Sequence, residues 1–366
     1  MVSALGILCK DNCIYPGQPE PVLVSGDCKC ETGEEHSNLI QTVNSSTDAL
    51  KETTKLHITT LASDGETIRG SAFILLTFKH SISPQSPIYH LLWPLEFLNL
   101  HVGNYNLTCD KDWKHIFKRF QNLLQKCGLV ASSFCIIPDI IRDQFKSNSL
   151  SADHIWSIFN PDDQQDIKMA FDMLKDIWSL PRTVTSLNTC PGVLATQESL
   201  WIIETLLFYL IFPYLCVDLS LSEQIKHLSA MAHLALTLYN MTRKAFILTN
   251  LYIDVMIMIK NVVFSVAKAK VDDPDGEFWI ILLGTGQLEE LFGILQMMVG
   301  NDTNLDILQL VSHLSGTTEV SNILAKYLQW DCAPQCLKVP ALSHDSIEIH
   351  KSADHIKPVS WRGMLK

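Results

Sequence analysis

The pattern of the chain changes at residue 110, and this change restricts the possible fold more than any other feature. Before it, short apolar or β-branched runs alternate with helical periodicity, which is the order typical of a mixed α/β sheet. From residue 110 to 270 only helical periodicity remains. A further apolar run at 278–283 and a helix at 287–299 follow. The sequence therefore predicts an α/β core interrupted by a large helical insertion, in a chain that is helix-rich overall.

The elements predicted before residue 110 are a hairpin, a helix, a strand, a helix and a strand. Their ranges are, in that order, 4–9 with 22–24, 34–53, 56–61, 70–78 and 95–102. The helices predicted in the insertion lie at 112–125, 161–178, 197–215, 220–240 and 251–270. Ser220 lies three residues before Glu223, which is the spacing of a capping box. The predicted domains are a partial core at 1–110, the insertion at 111–275, a return to the core at 276–330 and an irregular tail at 331–366.

Composition excludes several classes of protein. With 366 residues, 47% hydrophobic and 18% charged, the chain can bury a large core and is not disordered. A net charge of −11 excludes a wholly basic nucleic-acid binder and leaves room for a local basic patch. No secretory signal is predicted at the start. The apolar run 201–217 contains Glu204 and Pro213 and is shorter than the roughly 20 residues of a membrane span, so we predict a buried helix and no membrane.

Two acidic residues are candidates for a site. Asp64 follows a predicted strand, and side chains at the carboxyl ends of strands in α/β sheets line the crevice where ligands bind. Glu289 lies in the first turn of the predicted helix at 287–299. One or two carboxylates can hold Mg²⁺ together with substrate phosphates. A turn role for Asp64 and a helix-dipole role for Glu289 also explain these residues, so both interpretations stay open.

A group of basic residues lies at the start of the helix predicted at 112–125. Its members are Lys111, Lys114, His115, Lys118 and Arg119. Spacings of three and four residues place most of them along one side of the helix, which suits contact with the phosphates of DNA. A solvated basic face without a ligand explains the same spacing. His115 is either a ligand or proton donor, or a structural histidine.

Other chemistry finds little support in the sequence. The eleven cysteines are spread over the chain, and the spacing of Cys9, Cys13, Cys28 and Cys30 fits a zinc site poorly. The phosphate-binding loop, the dinucleotide-binding glycine motif and the hydrolase nucleophile elbow have no match in the sequence. These three classes of enzyme are therefore not predicted.

Three segments together resemble a known family. They are Leu-Ala-Ser-Asp-Gly-Glu at 61–66, Thr-Cys-Asp-Lys-Asp-Trp-Lys-His-Ile-Phe-Lys-Arg at 108–119, and Gly-Gln-Leu-Glu-Glu-Leu-Phe-Gly at 286–293. In this order they resemble the mobile-element-derived proteins of fungal genomes, which are similar to the P-element and THAP-type transposases. That resemblance implies an RNase H-like core, a helical insertion before the last catalytic glutamate, and Mg²⁺-dependent cleavage and transfer of DNA strands.

The resemblance also assigns roles to individual residues. Asp64 corresponds to the second catalytic acid and Glu289 to the last, and both would ligate Mg²⁺. Asp112, His115 and Lys118 match the middle motif, Asp-x-x-His-x-x-Lys, with His115 as a catalytic candidate. Lys111, Lys114, Lys118 and Arg119 would contact DNA.

The chain departs from the family pattern in ways that affect activity. Gly286 stands where the final motif begins with Asp, and neither a strand carrying the first catalytic Asp nor a zinc-binding DNA module precedes the hairpin. Two-metal catalysis needs carboxylates that converge on ions about 3.5–4 Å apart. We therefore expect a truncated, catalytically incompetent transposase remnant in the nucleus, with weak or absent Mg²⁺ binding and weak, non-specific DNA binding. The alternative is a non-enzymatic helical module that offers the apolar faces of 197–270 to a protein partner.

Overall fold

The computed structural model divides the chain into two compact units. The first contains residues 1–112 and 260–335, and the second contains residues 113–259 and 336–366. The structure is described for residues 2–5, 20–24, 31–54, 57–64, 66–132, 134–161, 166–181, 190–216, 218–298, 307–327, 330, 340–342, 349–352 and 359–360. The cysteines at 9, 13, 28 and 30, Gly65 and most of the predicted tail lie outside these residues. In the sequence, residues 113–259 of the second unit thus lie between the two segments of the first unit, and residues 336–366 follow them.

Strands in the first unit are short, and six of them form three two-stranded sheets. They are β1 (Val2–Leu5), β2 (Glu20–Val24), β3 (Thr60–Ser63), β4 (His80–Ser81), β5 (His101–Val102), β6 (Thr108–Lys111) and β9 (Glu277–Phe278). β1 pairs antiparallel with β2 and β4 with β5, whereas β3 and β6 are parallel. Of the strand predicted at 95–102 only β5 forms, and the apolar run at 278–283 continues from β9 into a 3-10 turn, Ile280–Leu282.

Helices of the first unit connect and cover these strands. They are α1 (Gly33–Ala49), α2 (Lys51–Thr54), α3 (Thr67–Thr77), α4 (Tyr89–Leu92), α12 (Gly286–Met298) and α13 (Ile307–Lys326). The helix α3 connects β3 to the segment that leads to the parallel β6, as a crossover between parallel strands requires. The helix α13, which the sequence did not predict, packs on α12 through Leu291, Leu295 and Leu314. A helix-rich mixed α/β architecture is confirmed.

The second unit consists mainly of helices. They are α5 (Trp113–Lys126), α6 (Pro138–Ser147), α7 (Ala152–Phe159), α8 (Ile167–Trp178), α9 (Pro191–Leu215), α10 (Leu221–Thr242) and the first half of α11 (Thr249–Asp272). The predicted capping box forms at the start of α10, where Glu223 donates its N–H to Ser220 Oγ and accepts the Ser220 N–H at 2.8 Å. Short strands β10 (Pro340–Leu342), β11 (Ile349–Ser352) and β12 (Val359–Ser360) lie in the tail.

One prediction for the insertion is wrong. An antiparallel hairpin of β7 (Leu129–Ala131) and β8 (Phe134–Ile136) lies between α5 and α6, where the sequence indicated no strand. Each strand has three residues, which is too short for the alternation of side chains along a strand to be read from the sequence. Ser199 on α9 donates a hydrogen bond to the carbonyl of Ala131, and this bond anchors the hairpin to the helical unit.

Two of the described helices are long and apolar enough to cross a membrane by length and composition alone. These are α9 and α11, and 67% and 72% of their apolar windows are buried inside the fold. On α9, Glu204 is buried and Pro213 lies inside the last turns. The helix runs well beyond the 201–217 segment, but its burial is typical of the core helix that the sequence predicted.

Candidate functional site

The carboxyl end of the β3–β6 pair brings three acidic residues to one part of the first unit. Ala62 pairs with Asp110 and Ser63 with Lys111, so the next residues, Asp64 and Asp112, leave the sheet at the same end. The acids lie close together because the carboxyl ends of parallel strands meet at the same edge of a sheet. The candidate site consists of Asp64, Asp110 and Asp112, together with Glu289 on α12.

Asp64 is the most accessible of these acids. Its side chain is 51% exposed and lies 3.8 Å from Nη1 of Arg69, while Ser63 Oγ donates a hydrogen bond to its Oδ1. Arg69 lies on the first turns of α3 and also pairs with Glu66. The carboxylate that the resemblance assigns to metal binding is thus partnered by a guanidinium of its own chain.

Asp110 is buried and holds its proton near neutral pH. Its side chain is 1% exposed, and burial together with the charge of Asp112 raises its pKa to about 8. A hydrogen bond from the Lys111 N–H, at 2.9 Å, opposes this shift, and so do the nearby Asn261 side chain and Gly284 N–H. Loss of solvation outweighs these hydrogen bonds, because a charged carboxylate in a protein interior is costly.

A polar network from the second half of α11 binds the opposite, amino end of the β3–β6 pair. Asn261, which is fully buried, accepts hydrogen bonds from Thr60 Oγ1 at 2.8 Å and Thr108 Oγ1 at 2.7 Å. Lys268 donates to the carbonyl of Thr59 and to Thr108 Oγ1, and burial lowers its pKa to about 7. These bonds join the starts of β3 and β6 to one helix.

Asp112 serves as the cap of a distant helix. Its Oδ2 accepts the backbone N–H of Thr285 at 2.6 Å and the Thr285 hydroxyl at 3.1 Å. Thr285 immediately precedes α12, whose first N–H groups have no partners inside the helix. The carboxylate therefore stabilises the helix that carries Glu289.

Glu289 lies in the first turn of α12 and is partly buried. Its backbone N–H donates to the carbonyl of Thr285 at 3.0 Å. Among the residues that the structure describes, no group of three or more His, Cys, Asp or Glu side chains is arranged to hold a metal ion.

The basic group at 111–119 is less accessible than its spacing indicates. Lys111, Lys114 and Lys118 are 5%, 7% and 8% exposed, although the sequence allowed a solvated stripe. The amino group of Lys114 lies 5.4 Å from the centre of the Trp113 ring. Apolar residues at every third or fourth position draw α5 into the core, and its lysines are buried with it.

Arg119 and His115, the other two members of that group, lie on α5. Arg119 forms an ion pair with Asp254 of α11, and its side chain is 34% exposed. His115 is partly buried. Asp112 belongs to the first unit, whereas His115 and Lys118 belong to the second, so the middle motif spans the division between units.

Sequence reasoning missed two central residues of this region, Asp110 and Asn261. Asp110 lies inside the segment 108–119, but spacing along the chain cannot show that its carboxyl points inward. A usable signal for Asn261 was present, because Lys260, Asn261, Ser265 and Lys268 place polar groups at helical spacing within an otherwise apolar helix. Such groups are kept inside a protein only when they have hydrogen-bond partners.

Comparisons with known proteins give one informative similarity. The chain is similar to a solved structure of the Drosophila P element transposase strand transfer complex, with a TM-score of 0.53 and 13% sequence identity. The match covers 88% of this chain and 70% of that one. No family model and no curated protein matches the sequence. At this level of identity the similarity shows a distant transposase-like fold.

Proposed function

We propose that the chain is a transposase-derived protein with an RNase H-like core, which binds DNA weakly and without sequence preference and does not cut or join DNA strands. The observation that carries this proposal is the shared fold with a transposase over 88% of the chain. A fungal mobile-element origin and a nuclear location belong to the same proposal and rest on the resemblance of the three sequence segments.

The order of elements in the first unit supports the RNase H-like core. An antiparallel hairpin, a helix, the strand β3, a crossover helix and the parallel strand β6 follow one another. The helical unit then intervenes before α12, the helix that carries Glu289. This is the order that the resemblance implies for a core interrupted before its last acid.

The partners of the acids support the lack of strand cleavage. Asp64 is engaged by Arg69, Asp112 by Thr285, and Asp110 keeps its proton at neutral pH. A Mg²⁺ ion at Asp64 and Glu289 would keep most of its water ligands, because two carboxylates fill only part of an octahedral shell. We accordingly propose weak divalent-ion binding at most, and no catalytic step through it.

In nuclease and strand-transfer assays with Mg²⁺ or Mn²⁺ we expect no DNA cleavage or joining by the protein. Asp64→Ala and Glu289→Ala should behave like the unmodified protein. An active transposase assayed in parallel shows that the DNA substrate is competent. Robust cleavage that either substitution abolishes would contradict the proposal, because it would require a complete set of metal ligands.

Arg119 offers a direct test of DNA binding. We expect duplex DNA to bind with a dissociation constant no tighter than about 10⁻⁵ M at physiological salt, and binding to weaken steeply as salt rises. Arg119→Gln should weaken binding and reduce the salt slope by about one released ion, because one phosphate contact is lost. Fluorescence anisotropy of a labelled duplex at several salt concentrations measures both quantities.

The matched control for this experiment is Arg142→Gln. Arg142 is also paired with an aspartate, Asp139, and its side chain is 36% exposed, but it lies on α6 outside the basic group. Circular dichroism confirms that both variants fold. Equal effects of the two substitutions would show that the residues at 111–119 do not form the DNA contact.

A second candidate function is a protein-interaction module. It is favoured by the exposed apolar side chains of Met241, Leu248 and Ile253, at the end of α10 and the start of α11, whose exposed fractions are 63%, 60% and 40%. Exposed apolar groups in one stretch are typical of protein interaction surfaces. Salt-dependent duplex binding supports the first function, and a complete lack of DNA binding favours this second one.

A further inference from the structure

The start of α12 contacts carboxyl groups at the end of β6, a strand that lies far from α12 in the sequence. Asp112 Oδ2 accepts both the N–H and the hydroxyl of Thr285, a residue 173 positions away in the sequence. The N–H of Gly284, the residue before Thr285, lies near the Asp110 carboxyl and opposes the rise of its pKa. Two consecutive backbone N–H groups before α12 thus face two acids, Asp110 in β6 and Asp112 directly after it.

Gly284 is required for this close approach. Its φ is +102°, in the region that favours glycine. A Cβ atom at this position would lie 2.5 Å from Asp112 Oδ2 and 3.1 Å from its Cγ. The main chain at 284 therefore reaches the carboxylate only because no side chain stands between them.

The arrangement differs from an ordinary helix cap. An N-cap side chain normally belongs to the residue just before the helix and satisfies a donor two or three residues on. Here the acceptor comes from another element, so the same bonds that cap α12 also fix its position against β6. The negative carboxylate at the helix N-terminus adds a favourable interaction with the helix dipole.

We propose that Asp112, Gly284 and Thr285 form a clasp that positions α12, and with it Glu289, against the carboxyl end of β6. Asp112 is then a positioning residue, and opening the clasp releases α12 while the rest of the fold stays intact. Glu289 is tied to the clasp because its N–H donates to the Thr285 carbonyl. The clasp concerns the structure of the chain itself and does not depend on DNA binding.

Hydrogen–deuterium exchange with mass spectrometry tests the clasp on the full chain. In Asp112→Ala we expect the amides of residues 286–298 to exchange at least about tenfold faster, since hydrogen bonds to a charged acceptor are stronger than neutral ones. Peptides from α10 in the second unit should be unchanged. The control is Asp139→Ala, which removes an exposed carboxylate from α6 and should alter neither region.

Graded variants separate positioning from a general loss of stability. Asp112→Asn keeps an acceptor oxygen and should restore most of the protection of α12. Thr285→Val removes only the hydroxyl bond and should give an intermediate rate, whereas Thr285→Ser should resemble the unmodified protein. Unchanged exchange in α12 for both Asp112→Ala and Thr285→Val, or an equal increase in α10, would overturn the clasp. Faster exchange in α12 without any DNA binding would support the clasp and contradict the proposed function.

Discussion

Replacing Asp110 with asparagine is expected to make the protein more stable, by an amount that grows as the pH rises. The pKa of Asp110 in the folded protein is about 8, above its ordinary value of 3.8. Between pH 3.8 and pH 8 the folded chain therefore carries a proton at Asp110 that the unfolded chain has lost. The free energy of unfolding therefore falls as pH rises through this window, by up to about 1.4 kcal/mol per pH unit. Asparagine cannot ionise, so this decrease in the free energy of unfolding is absent from the variant.

Urea denaturation of both proteins between pH 5 and pH 8 measures the difference. The stability gain of Asp110→Asn should increase steadily over this range, and Asp139→Asn, at a side chain that is 75% exposed, should show no such trend. Lys268 acts in the opposite direction, because its lowered pKa of about 7 makes stability rise at higher pH. Its contribution is common to both proteins and cancels in the comparison. A pH-independent difference would show that Asp110 is ionised in the folded protein.

Replacing Trp113 with alanine is expected to destabilise the second unit by about 3–5 kcal/mol. Trp113 is 2% exposed and stacks on Tyr214 with ring centres 5.1 Å apart, and Phe117 lies edge-on at 5.2 Å. Removal of the indole leaves a cavity and deletes aromatic contacts between α5 and α9.

The matched control is Trp156→Ala, which removes an indole that is 63% exposed on α7. It should change the free energy of unfolding by less than about 0.5 kcal/mol. Thermal and urea unfolding followed by circular dichroism measure both variants. Similar losses in the two proteins would mean that Trp113 does not anchor the core of the second unit.

The sequence predicted the parts of the fold that are set by local patterns. The capping residues Ser220 and Glu223 fixed the start of α10 because both partners lie within one helical turn. The long helices α9, α10 and α11 were predictable because long helices repeat their apolar positions many times. The hairpin β7–β8 offered no such repetition.

The candidate site could be predicted only in part, because long-range contacts determine it. The position of Asp64 at the end of a strand followed from the turn after β3. Asp110 depends on Asn261 and Gly284, which lie more than 150 residues later in the sequence, and nothing near residue 110 indicates them. The lysines at 111, 114 and 118 show the reverse case, since their spacing indicated a solvent-facing stripe, whereas Lys111 is buried at the end of β6 and Lys114 and Lys118 are buried on α5.

The division of the chain has a consequence for synthesis on the ribosome. Thr60 and Thr108 leave the ribosome early. Asn261, which accepts hydrogen bonds from their hydroxyl groups, follows only after the whole of residues 113–259. At roughly 5–20 residues per second, that interval lasts on the order of ten to thirty seconds. Residues 113–259 are therefore fully translated before Asn261 can bond to β3 and β6. During this interval the β3–β6 pair is incomplete in the nascent chain, because its hydrogen bonds to Asn261 have not yet formed. Chaperones have access to it at this stage.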